Sequence, residues 1–196
     1  MRHSTLLAAS LVAAALSLPA HAAKIVYSAA MSGPAESPPV ASPGAGTVSV
    51  TFDTVGLTMQ VKANFAGLVG TTTVAHIHCC TAVAGAGNVG VATYPVTFPG
   101  WPAGVKSGSY NQGFDMALAS SYTAGFLAAN GGTAAGAFAG LLAGLDAGKG
   151  YFNVHSSFAP GGEIRGFLAK VPEPGTLALM GLGIVAIGLL RVWRKD

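Results

Sequence analysis

The clearest signal along the chain is strict alternation. Val48, Val50 and Phe52 interleave with Thr47, Ser49, Thr51 and Asp53; after a turn at 54–56, Leu57, Met59, Val61, Ala63 and Phe65 interleave with Thr58, Gln60, Lys62 and Asn64. A period of two puts the apolar set on one face of each segment, so the pattern predicts two half-buried antiparallel strands joined by a tight turn. Further strands are predicted at 73–79, 89–98, 151–156 and 163–169, with turns at 85–87 and at Pro160-Gly161-Gly162. Ala-rich segments at 120–130 and 133–146 read as short helices, although Gly125, Gly136, Gly140 and Gly144 weaken the helical pattern. Together these elements predict an all-β domain, a β-sandwich or barrel with one short, partly helical crossover.

Composition narrows the function classes. In 196 residues, charged side chains are 9% and hydrophobic ones 51%, which fits neither a disordered chain nor a nucleic-acid binder. Gly (28) and Pro (11) follow no three-residue period, which removes collagen and favours frequent turns. The net charge of +3 belongs to the ends. Between Ala23 and Lys170 six basic residues (24, 62, 106, 149, 165, 170) face five acids (36, 53, 115, 146, 163), so the body is nearly neutral and implies no acidic partner.

Both ends carry targeting patterns. Arg2 and His3 precede an uncharged run from Ser4 to Leu18, and Pro19-Ala20-His21-Ala22 places small residues where signal peptidase reads. Residues 1–22 are therefore expected to be a signal peptide; the apolar run is too short for a permanent span. At the other end Pro172-Glu173-Pro174, an uncharged apolar stretch over 175–190 and the basic Arg191, Arg194 and Lys195 resemble a PEP-CTERM sorting signal. The resemblance implies export in a Gram-negative bacterium that makes extracellular polysaccharide, with an exosortase cutting near the Pro-Glu-Pro. Sixteen helical residues span about 24 Å, short of the roughly 30 Å hydrocarbon core, which suits a temporary membrane anchor with its basic end in the cytoplasm.

Within the body, Ala75-His76-Ile77-His78-Cys79-Cys80 and Tyr151-Phe152-Asn153-Val154-His155-Ser156, followed by Gly162-Glu163-Ile164-Arg165-Gly166, resemble the hallmark motifs of the CHRD (chordin) domain, and Glu36-Ser37-Pro38-Pro39-Val40 fits its opening. The domain is expected to cover 23–170, and 171–196 the sorting signal. The resemblance implies an immunoglobulin-like or superoxide-dismutase-like β-sandwich or barrel, with no settled activity for the family. It leads to a non-enzymatic module of the cell surface or matrix, with polysaccharide or matrix proteins as partners and no nucleic acid.

Candidate chemistry centres on histidine. Residues two apart share a strand face, so His76 and His78 project together; if Ile77 and Val154 are both core residues of neighbouring strands, His155 joins them on one outer face. These are the only histidines left after signal removal. Three imidazoles at this spacing are a donor set for copper or zinc, or they are ordinary polar residues satisfying turns. The likeness to copper,zinc dismutases puts Arg165 in a position comparable to their anion-guiding arginine, but the body has no further histidine to bridge a second metal, so dismutase activity is not expected. Glu163 is expected to pair with Arg165 or a loop amide. Cys79 and Cys80 are the only cysteines and would enter an oxidising compartment. They can close a strained vicinal disulfide, pair with another chain, or ligate a metal beside the histidines. The glycines of Gly85-Ala86-Gly87-Asn88-Val89-Gly90 read as a turn, not a nucleotide loop.

Overall fold

The computed structural model describes residues 24–94 and 97–172. The predictions for the signal peptide, for 175–190 as a membrane helix, and for Glu173, Pro174, Arg191, Arg194 and Lys195 lie outside the described residues. Pro172 is exposed at the end of the described chain. Among the described residues no helix is long and apolar enough to cross a membrane.

The domain is all-β, as the alternation predicts. Eight strands, β1 (Lys24–Ser32), β2 (Ala45–Asp53), β3 (Thr58–Ala66), β4 (Thr72–His78), β5 (Gly108–Asp115), β6 (Tyr151–Ser156), β7 (Ile164–Phe167) and β8 (Ala169–Lys170), form one curled antiparallel sheet. Its order is β4-β6-β7-β1-β2-β3-β5, with β8 also paired to β1. The β2–β3 hairpin carries the predicted register: Phe52 faces Met59, Val50 faces Val61 and Val48 faces Ala63. All six are buried on the concave side. Asp53 Oδ1 accepts hydrogen bonds from the Val55 and Gly56 amides (3.0 and 2.8 Å), which closes the turn. Leu57, expected to start the second strand, sits in the turn with φ +49°, and the strand begins one residue later.

The crossover contains two helices, α1 (Ala124–Ala129) and α2 (Ala134–Asp146). Both are N-capped by threonine: Thr123 Oγ1 accepts from the Phe126 amide and Thr133 Oγ1 from the Gly136 amide. α2 buries Phe138, Leu141 and Leu145 against the sheet's concave face, where Phe52, Ile77, Phe98 and Phe152 complete a single core. The glycines of α2 have a packing reason. A methyl group at Gly140 would overlap the Asn130 side chain, and one at Gly144 would overlap both cysteine sulfurs.

Three sequence expectations are corrected. β1 and β5 are absent from the predicted strands because their buried residues are sparse: only Tyr27 and Met31 in β1, and Tyr110 and Phe114 in β5, are buried, a spacing of four rather than two. The described residues of segment 89–98 form no strand. Val91 and Thr93 make isolated bridges to His78 and Tyr122, Tyr94 has φ +48°, and the chain folds over the sheet end to bury Phe98.

Candidate metal centre

β4 and β6 are neighbours, with Ile77 opposite Phe152 and Ala75 opposite Val154, all fully buried in the core. Alternation then sends His76, His78, Tyr151, Asn153 and His155 to the opposite face. There the imidazole centroids of His76 and His78 are 5.4 Å apart, those of His76 and His155 4.9 Å, and those of His78 and His155 5.8 Å. One ligand atom from each ring lies within 4.8 Å of the others.

The rings are not exposed on an outer face as the strand pattern alone implied. His76, His78 and His155 are only 6–8% accessible. Loops cover them. His78 Nδ1 lies 2.8 Å from the carbonyl of Val89, and His155 Nδ1 lies 2.8 Å from that of Pro160. A carbonyl oxygen can only accept, so Nδ1 of each ring carries the proton and Nε2 carries a lone pair. Both Nε2 atoms are buried with no hydrogen-bond partner. The two imidazole lone pairs lacking donors, in a cluster with His76, are what a cation would satisfy. Burial pushes His78 down to about 4, reinforced by His76, His155 and Arg165 against the bond to Val89. Burial likewise lowers His155 against its bond to Pro160. Both rings are thus neutral near pH 7, the ligand form.

Arg165 does not reach solvent, contrary to the position comparable to an anion guide. It is 2% accessible. Its Nε donates to the Ala35 carbonyl (2.5 Å), and one terminal nitrogen donates to the Gly87 carbonyl (3.0 Å) and Asn88 Oδ1 (2.7 Å). Glu36, not Glu163, is its carboxylate, with Nε 3.6 Å from Oε2. Burial pushes the Glu36 carboxyl up to about 7, opposed by the guanidinium. Glu163 takes the other expected role and accepts from loop amides, Val69 N (2.5 Å) and Gly70 N (3.1 Å), and from the hydroxyls of Ser42 (2.7 Å) and Ser156. Sequence reasoning missed the Glu36 pairing, which joins positions 129 residues apart and leaves no local pattern.

Cys79 and Cys80 form a vicinal disulfide across a cis peptide. Cys79 is buried on the core side of β4, away from the histidine face, and both sulfurs pack on Gly144 of α2. In the structure the sulfurs bond to each other and are not offered as metal ligands.

The CHRD domain family matches residues 27–168. The chain belongs to the CHRD-domain family. All three histidines, Arg165, Glu36 and the disulfide fall inside that match. The PEP-CTERM protein-sorting motif matches 170–195, directly after the CHRD domain, and indicates export to the surface or outside of a Gram-negative cell with exosortase processing. No curated protein and no solved structure matches the chain.

Proposed function

We propose that this chain is an exported binding or structural module of the bacterial surface or matrix whose three histidines hold one copper or zinc ion. The observation that carries the metal reading is the pair of buried, partnerless Nε2 lone pairs on His78 and His155, grouped with His76 within 4.8 Å. Leaving such atoms unsatisfied costs roughly 1–3 kcal/mol each, which a bound ion offsets. Neutral imidazole suits both metals. Copper bound there supplies one-electron chemistry, and zinc a closed-shell tie between strands. The chain's own residues hold Nδ1 protonated through the Val89 and Pro160 carbonyls, hold the rings neutral by burial, and restrict water from the cluster.

The rest of the reading concerns place. Signal peptidase removes 1–22, the segment at 175–190 tethers the domain with its body outside the cytoplasm, and exosortase releases it to polysaccharide or matrix proteins. Metal analysis of the exported protein after mild isolation tests the site, with one equivalent of copper or zinc expected. Absence of metal, together with no zinc or copper uptake by the apo protein, leaves the histidines as pins for their loops. Mass spectrometry of the mature form tests the processing: a chain ending near Pro174 is expected, and an intact C-terminus means a permanent anchor.

A further inference from the structure

Arg165 binds no part of the histidine cluster directly, yet its contacts converge on one member of it. Its guanidinium carbon lies 4.8 Å from the centroid of the Tyr151 ring, and the His78 imidazole stacks on Tyr151 with centroids 4.8 Å apart and planes 4° apart. The same guanidinium holds the Gly87 carbonyl and Asn88 Oδ1, the two residues that precede Val89. Val89 supplies the carbonyl that fixes His78 Nδ1, and the Tyr151 hydroxyl donates to that carbonyl (3.3 Å). Asn88 Nδ2 also donates to the Ser37 carbonyl (2.6 Å), which joins the 85–90 turn to the segment that Arg165 holds through Ala35. Left-handed φ at Gly85 and Gly87 lets this turn double back over the sheet.

We propose that Arg165 is a positioning residue for the metal centre: through the 87–89 turn and the Tyr151 ring it holds His78 with Nδ1 protonated and Nε2 available as the ligand atom. The inference rests on the metal reading for its consequence but not for its geometry. His155 is held by Pro160, on another loop, so its tautomer is independent of this turn. Outer residues that orient a ligating imidazole typically change metal affinity about 10–100-fold. Arginine's planar fork is what allows one side chain to serve two segments and an aromatic face together; an amide cannot.

The test uses the full-length chain in detergent, labelled with 15N-histidine, and zinc as the probe. In the apo wild type, His78 and His155 are both expected to show the Nδ1–H tautomer. In Arg165→Gln, His78 alone should lose that fixed tautomer while His155 keeps it, and zinc affinity should fall about 10–100-fold. Asn88→Ala, at an exposed position, removes one guanidinium contact and the tie to Ser37 with little risk to folding, and should shift His78 in the same direction by less. An unchanged His78 tautomer in folded Arg165→Gln, or in Asn88→Ala where the first variant does not fold, overturns the inference. If wild type takes up neither zinc nor copper the metal reading fails, but the apo tautomer still decides whether Arg165 positions His78.

Discussion

His78 and His155 stand on neighbouring strands and make the same bond: each gives its Nδ1 proton to a loop carbonyl at 2.8 Å, Val89 for one and Pro160 for the other. The two loops thereby bury the rings and choose their tautomers together. A domain whose polar face is closed by its own ligand candidates couples metal uptake, loop position and acid stability.

The acid dependence has a definite sign. An unfolded histidine takes its proton near 6.5, whereas folded His78 takes it only near 4 because burial opposes charge. Between those values the unfolded chain binds more protons, so acid favours unfolding. The contribution is full above pH 6.5 and is lost as pH falls through 4. His155, also lowered, acts in the same sense. Urea unfolding of the apo protein should show falling stability across this window, and NMR should show His78 still neutral at pH 5. A His78 titration near 6.5 would contradict the burial argument.

Glu163 is a buried carboxylate that ties Ser42, the 69–70 loop and Ser156 together. Burial works to raise its carboxyl, but bonds from Ser156, Ser42, Val69 N and Gly70 N outweigh it and hold the group below its usual range. Each oxygen accepts from one backbone amide, Val69 on Oε1 and Gly70 on Oε2. In Glu163→Gln the new NH2 therefore opposes an N–H in either orientation. A loss of roughly 2–3 kcal/mol in chemical denaturation is expected, with little change in histidine tautomers. The wild-type contribution is present above about pH 4.5 and declines as pH falls below it.

The legible parts of this fold are those with local periodicity. Val48 to Phe65 alternate because one face of β2 and β3 is core and the other is polar, and His76/His78 share a face for the same reason. The histidine cluster needed only that rule and the pairing of β4 with β6. β1 and β5 escaped notice because Ala29 in one and Gln112 in the other take the place, between two buried residues, where a large apolar one would mark a strand. The turns at 85–87 and 160–162 were legible, but not their closing over the histidines, since the first depends on Arg165 meeting Ala35, Gly87 and Asn88 from distant parts of the chain.

Phe98 lies in the misread segment 89–98, and its burial makes a separate prediction. It is fully buried, stacked on Phe152 with centroids 5.7 Å apart and 5.3 Å from Phe114. It therefore bridges β6 to β5 across the core. Phe98→Ala should cost about 3–5 kcal/mol. Differential scanning calorimetry would reveal it as a large drop in melting temperature; a change within a degree would mean that the segment is not part of the core.

Gly144 sets helix propensity against packing. In an exposed helix interior, Gly→Ala stabilises by up to about 1 kcal/mol. Here the added methyl would meet both sulfurs of the Cys79–Cys80 pair, and neither α2, whose Leu141 and Leu145 are locked in the core, nor β4 is free to move away. Overpacking of this kind costs about 1–3 kcal/mol, so Gly144→Ala should be net destabilising. In the Cys79→Ala/Cys80→Ala background the sulfurs are gone, and of the three nearest atoms only the residue-80 Cβ remains, at 3.3 Å, a contact a shift of a few tenths of an ångström relieves, so the same substitution should become neutral or stabilising. A double-mutant cycle measured by urea unfolding reads this coupling directly, because the sign of the Gly144→Ala effect should reverse between the two backgrounds. Equal destabilisation in both would show that α2 meets some other neighbour at that position, and that the disulfide is not seated on the helix.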